Sequence, residues 1–101
     1  MKSLAQFIQE KLVIKKNKSY KYYPETKEEL QDIIKKRIEQ EGNEVNLNDI
    51  DTSNIIDMSE LFKESDFNGD ISKWDVYNVR YMQAMFDNCP IEEKYKPKFN
   101  N

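Results

Sequence analysis

Apolar residues follow a helical spacing through the first part of the chain and then change rhythm. "SLAQFIQEKL" sets Leu4, Phe7, Ile8 and Leu12 on one face with Ser3 placed to cap, which predicts a short helix. "VIKKNKSYKYYP" follows, basic and then aromatic, and reads as a loop leading into a short strand that Pro24 ends. A clearer helix is predicted over residues 27–41. Thr26 and Glu29 make a capping box, Leu30, Ile33, Ile34 and Ile38 form one apolar stripe, and Gly42 supplies a stop. Lys35, Lys36 and Arg37 gather toward the C-terminal half, where the helix dipole favours cations.

From Val45 onward the chain repeats itself. "IDTSNIIDMSELF" at residues 50–62 and "WDVYNVRYMQAMF" at residues 74–86 share Asp, Asn, Met and Phe at an offset of 24 residues, without a gap. Leu47 then pairs with Ile71, Ile50 with Trp74, Ile55 with Val79, and Leu61 with Met85. In each copy the apolar positions at 47 and 50, or 71 and 74, fit a short extended segment, and those at 55, 58, 61 and 62, with their counterparts, fit about two turns of helix. The period lies in the range of a leucine-rich-repeat unit. The expected fold class is therefore α+β: two short leucine-rich-repeat-like strand-turn-helix units of 24 residues, their strands paired in parallel, capped by the N-terminal amphipathic helix. Trp74, Phe62, Phe86, Met58 and Met82 are expected in its core.

The second unit, "FNGDISKWDVYNVRYMQAMF", resembles the BspA-like repeat family, a leucine-rich-repeat relative whose units run close to F-N-x-D-I-S-x-W-D-V-S-N-V-x-x-M-x-x-M-F. The first unit is a worn copy, with Ile50 in place of the Trp, Thr52 of the Val and Leu61 of the second Met. The resemblance covers residues 45–89. It implies a scaffold for binding other proteins, adhesion in secreted members, and no catalysis. Two units are fewer than repeat arrays usually stack, so the ends need covers. The expected organisation is a single domain over residues 1–101. Residues 1–44 form a helical N-terminal cap, residues 45–89 the two units, and residues 90–101 a closing tail with Ile91, Tyr95 and Phe99 at intervals of four.

Composition narrows the function classes. A chain of 101 residues is long enough for one modest core. Its 35% charged residues make it polar, while six Tyr, five Phe and one Trp supply anchors that disordered chains lack. The single cysteine, Cys89, excludes an internal disulfide and fits a reducing compartment. No stretch is long and apolar enough for a membrane span, and "MKSLAQFIQEKL" interrupts any signal-like run with Gln6, Gln9 and Glu10. The expected location is the cytoplasm.

Catalytic and metal constellations are thin. Histidine is absent, which removes the commonest general base and any His-based metal site. "DFNGD" opens like a calcium loop, but Ile71 and Tyr77 stand where an EF-hand needs Gly and a bidentate acid; Asn68-Gly69 reads as a turn between units. Cys89 precedes Pro90 and reads as a small buried hydrophobe. A non-enzyme with no cofactor and no metal is expected.

Charge is uneven. Residues 1–38 carry ten Lys or Arg against five acids, residues 39–75 two against eleven, and residues 76–101 four against three. The middle acids are spread among apolar residues, as on a solvated face; gathered against a basic groove they would instead be a docking surface. Interleaved Lys and Tyr at residues 18–23 are too short a run to favour direct nucleic-acid binding in an acidic chain. Partner-binding residues are expected where the two units differ: Tyr77, Arg80, Tyr81 and Gln83 in the second unit, with Asp57, Glu60 and Glu64 as the acidic candidates in the first. The leading expectation is an intracellular, non-catalytic protein–protein interaction module that engages another protein or a nucleoprotein complex. The alternative is a small phage- or mobile-element-encoded inhibitor, anti-CRISPR-like or otherwise anti-defence, that presents its acidic middle to a host nucleic-acid-handling complex. A third reading is a virion-associated protein with the first helix as docking tag.

Overall fold

The computed structural model describes residues 20–99. The predicted first helix, and with it the docking-tag reading, lies outside the described residues. Helix α1 spans Lys27–Glu41, as the apolar stripe predicts. Thr26 Oγ1 accepts the Glu29 N–H at 3.1 Å, and the Glu29 carboxylate reaches back to the N–H of Glu25 at 2.7 Å. At the other end Gly42 takes φ 94°, where a Cβ would be strained, and its N–H closes onto the Ile38 carbonyl.

The buried face of α1 holds Leu30, Ile34 and, unexpectedly, Arg37. The sequence places Arg37 among solvated cations; the structure buries it beneath three partners. Its guanidinium bonds Asp49 through both carboxylate oxygens at 3.0 and 3.2 Å, bonds Glu41 at 2.6 Å, and lies over the Tyr22 ring at 5.2 Å. Burial opposes the charge, but the bonds to Glu41 and Asp49 outweigh it and raise the Arg37 pKa further above its ordinary value. One side chain thus ties α1 to the segment that enters the first unit.

The α+β expectation is overturned. Beyond α1 the described residues hold a 3₁₀ turn at Glu93–Tyr95 and two isolated parallel bridges, Tyr22 with Ile50 and Asp57 with Tyr81, and no sheet. Neither unit contains a helix. Residues 58–65 make three successive turns, with the N–H groups of Leu61, Lys63 and Ser65 bonded three residues back to Met58, Glu60 and Phe62. The alternate N–H groups leave the unit altogether: Met58, Glu60, Phe62 and Glu64 donate to the carbonyls of Tyr81, Gln83, Met85 and Asp87 at 2.7 to 3.0 Å. A helix would need those same donors for itself. The backbone also rules it out, because Glu60 and Glu64 sit at φ 57° and 59°, and Ala84 and Asn88 repeat this 24 residues on at 57° and 56°. Such left-handed residues suit the third position of a type II turn and break an α-helix. Apolar spacing of three and four is common to a short helix and to a run of turns, which is why the pattern misleads.

The 24-residue register itself stands. Leu47 and Ile71, Ile50 and Trp74, and Ile55, Met58 and Phe62 are all buried in one core with Phe67, Val76, Met85 and Ile91. Phe62 is its hub: its ring stacks on Phe67 at 4.7 Å and Phe86 at 5.9 Å and meets Trp74 at 6.0 Å. The Trp74 indole N–H donates to the Leu47 carbonyl at 2.9 Å, so the bulkiest side chain is satisfied inside the core. Gly69 is needed for a close approach rather than a turn alone, since a Cβ there would lie 1.9 Å from the Val45 carbonyl oxygen. Two members of the expected core differ: Phe86 and Met82 are only half-buried, because no described unit follows the second one.

The tail does more than fold back. Ile91 lies 24 residues after Phe67, and the Ile71 N–H donates to the carbonyl of Tyr95, 24 residues on. The Asn68 side chain likewise accepts the N–H of Glu92 at 3.1 Å. Residues 91–95 therefore begin a third rung.

Two substitutions separate these roles. Phe62→Ala is expected to cost about 3 to 5 kcal/mol, and Phe86→Ala roughly 1 to 2 kcal/mol because its ring is only partly buried, as measured by urea denaturation. Arg37→Met strands Asp49 against α1 and is expected to cost about 3 kcal/mol in the same assay.

Candidate interaction surface

Ser53, Ser59, Ser72 and Tyr77 each donate a backbone N–H to an aspartate two residues earlier: Asp51, Asp57, Asp70 and Asp75, at 2.9 to 3.0 Å. These are Asx turns, in which a carboxylate closes a loop that the backbone alone would leave open. The Ser59 and Ser72 hydroxyls add a second bond at 2.7 Å each. Four of the eleven acids of residues 39–75 thus close turns.

The turns position the predicted side chains. Tyr77 stands at a turn closed by the Val79 N–H on the Val76 carbonyl and is 80% exposed. Arg80 and Tyr81 both donate their N–H groups to the Ile56 carbonyl, at 2.7 and 3.2 Å, which sets Tyr81 beside Asp57 and next to Ile56. Gln83 lies beside Glu60 through the Glu60 N–H, and Glu64 lies beside Asp87 in the same way. Tyr77, Arg80, Tyr81, Gln83, Glu60 and Glu64 are all exposed, and Asp57 is half-buried. Ile56 and Tyr81 are about half exposed, at 49% and 52%.

Asp57 has work already. It accepts from Ser59 and lies 3.8 Å from Lys27 of α1, whose ammonium also bonds the Ser59 hydroxyl at 3.2 Å. The Ser59 hydroxyl and N–H hold its carboxyl below the usual range, with Lys27 assisting. At Asp70 burial opposes the charge, but the Ser72 hydroxyl and N–H and the Asn48 side chain prevail and lower the pKa. Glu60 and Glu64 occupy left-handed positions, and Glu60 lies 3.9 Å from Lys63. Glu44, Asp70 and Glu92 line a shared cavity of about 400 Å³, which Asp57, Glu60 and Glu64 do not join.

No group of three or more His, Cys, Asp or Glu among the described residues could hold a metal. Cys89 is half-buried, its thiol donates to the Phe67 carbonyl at 3.2 Å, and burial pushes its pKa up. A cavity of about 850 Å³ lies between residues 82–87 and the tail at residues 93–99. Its floor is Met82, Met85 and Phe86, and the Lys96 ammonium sits 4.9 Å from the Phe86 ring.

Sequence reasoning finds the exposed tyrosines but misses two things, the buried Arg37 clamp and the end of the second unit, whose N–H row meets no acceptor among the described residues. The Arg37 signal is its place on the apolar face of α1, between Ile34 and Ile38. Among known proteins, a family model described as a Mycoplasma protein of unknown function, DUF285, matches residues 28–100. No curated protein and no solved structure matches the chain.

The lowered carboxyls fix a pH dependence. A proton binds Asp57 and Asp70 less tightly in the folded chain, so their contribution is complete above the ordinary carboxylate pKa and is lost as pH falls through the lowered values. Unfolding free energy is expected to be flat from about pH 7 to 5 and to fall below about pH 4. Asp70→Asn keeps an oxygen acceptor for the Ser72 turn and is expected to make that fall shallower, as read from urea titrations across pH.

Proposed function

We propose that this chain, which belongs to the DUF285 family, is a non-catalytic protein–protein interaction module that binds its partner through Tyr77, Arg80 and Tyr81, with Ile56 and Gln83 at their side. The supporting observation is the clustering of exposed bulk. Of the four large hydrophobic side chains exposed among the described residues, three are Ile56, Tyr77 and Tyr81, all on the repeat units. Their backbones are fixed by inter-unit bonds and an Asx turn, so little order remains to be imposed on binding. Tyrosine and arginine are the side chains that dominate interface energetics. The resemblance of residues 67–86 to BspA-like repeats, which implies a protein-binding scaffold, points the same way.

The electrostatic inhibitor reading draws less from the geometry. Asp57 is engaged by Ser59 and Lys27, and Asp51, Asp70 and Asp75 close turns, so four of the eleven acids have a structural explanation without a basic groove. An intracellular site of action remains part of the proposal.

The test uses the full chain as bait for partner capture from a host lysate, followed by affinity measurement. Changing Tyr77, Arg80 and Tyr81 each to Ser is expected to weaken the captured complex by at least about thirtyfold, while Asp57→Asn, Glu60→Gln and Glu64→Gln together leave it nearly unchanged. The reverse result, with an association rate that falls steeply with salt, would hand the surface to the inhibitor reading.

A further inference from the structure

The second unit repeats the turns of the first. Met85, Asp87 and Cys89 donate their N–H groups to the carbonyls of Met82, Ala84 and Phe86, and Ala84 and Asn88 hold the left-handed places of Glu60 and Glu64. The alternate N–H groups of Met82, Ala84, Phe86 and Asn88 are therefore presented away from the first unit, as those of Met58, Glu60, Phe62 and Glu64 are presented toward the second. The first set meets four carbonyls. The second set meets none among the described residues.

The side chains tell the same story. Met58 and Phe62 are 0% and 1% exposed beneath the second unit, whereas Met82 and Phe86, their counterparts, are only half-buried and floor an open cavity of about 850 Å³. Residues 91–95 supply the opening of a third rung over Phe67 and Ile71, but the described chain offers no carbonyl to the N–H row of residues 82–88 and borders its apolar floor only from the side of Lys96.

We propose that the N–H row of Met82, Ala84, Phe86 and Asn88, with the Met82 and Phe86 floor, is a docking site for a half-unit of this same repeat presented by another protein: a run of successive turns offering carbonyls at alternate residues and an apolar Met and Phe face. The contact between the first and second units is the pattern for it, donor for acceptor and ring for ring. An unpaired backbone row beside an apolar surface is the usual template for adding chain to a β edge, and the same physics applies to stacked turns. A second copy of this chain does not fit. Its carbonyls at residues 81, 83, 85 and 87 are taken by its own first unit, and α1 lies over the outer side of that unit, with Ile34 and Ile38 facing Leu61 and Phe62. The site is distinct from the Tyr77, Arg80 and Tyr81 surface, so either can fail without the other.

The probe is a synthetic peptide of residues 77–88 added to the full-length chain, with amide hydrogen exchange read residue by residue. In the free protein the amides of Met58, Glu60, Phe62 and Glu64 are expected to exchange slowly and those of Met82, Ala84, Phe86 and Asn88 fast. The peptide is expected to slow the second set by about tenfold or more and leave the first unchanged; a peptide with Ser at Met82, Met85 and Phe86 is expected to have no effect. Failure of the first peptide to protect these amides at saturating concentration overturns the proposal. So does protection already present in the free chain: if it disappears on removing residues 1–19 the occupant is the chain's own N-terminal segment, and if it grows with protein concentration it is a second copy. Equal protection by inorganic phosphate, drawn by the N–H row and nearby Lys96, would make it an anion site instead.

Discussion

Backbone amides that belong to neither helix nor sheet must still find acceptors, and residues 58–64 find theirs one repeat away. That requirement organises the molecule. The four bonds from Met58, Glu60, Phe62 and Glu64 set the spacing between units, and the left-handed turns at Glu60 and Glu64 aim the donors. A positive φ at a non-glycine residue costs about 1 to 2 kcal/mol, and the hydrogen bonds and the burial of Met58 and Phe62 offset it. Neither unit has a sheet or helix to fall back on, so each is ordered by its neighbour, as in other repeat architectures.

The period was legible in the sequence because the core reads it directly: Leu47 over Ile71, Ile50 over Trp74, Phe62 over Phe86. Helix α1 was legible for the ordinary reasons, a cap, a stripe and a stop. What the pattern conceals is the backbone between the apolar positions. Residues at 55, 58, 61 and 62 satisfy a helix as well as they satisfy successive turns, and nothing in Glu60 or Ala84 announces a left-handed conformation, since glycine or asparagine would be the usual marker. Only Asn88 offers that hint. Arg37 was misplaced because its character depends on Asp49 and Tyr22, which are distant in sequence and reach it only once α1 has packed.

The proposed surfaces follow from where the stacking ends and where it varies. Arg80 and Tyr81 project from backbone held by the first unit and Tyr77 from an Asx turn closed by Asp75, so their exposure is compatible with a rigid presentation. The apolar floor at Met82 and Phe86 is partly exposed for a different reason: no rung among the described residues lies above it. Lys96 and the 3₁₀ turn at Glu93–Tyr95 shield one side of that floor, and the Lys96 ammonium over the Phe86 ring is a partial substitute for the stacking that Phe62 enjoys.

The Asx turns carry one further implication, for how such arrays coexist in a crowded solution. Each unit closes its bends with aspartates, Asp51 and Asp57 in one and Asp70 and Asp75 in the next, where asparagine would serve the same geometry. Negative charge therefore accumulates in step with the number of units. Stacked turns without a covering sheet expose backbone along their flanks, and like-charged flanks repel when two arrays approach side by side. The residue that shapes the bend also sets a colloidal barrier, leaving the end of the stack, where Lys94, Lys96 and Lys98 border the Met82 and Phe86 floor, as the easier direction of approach.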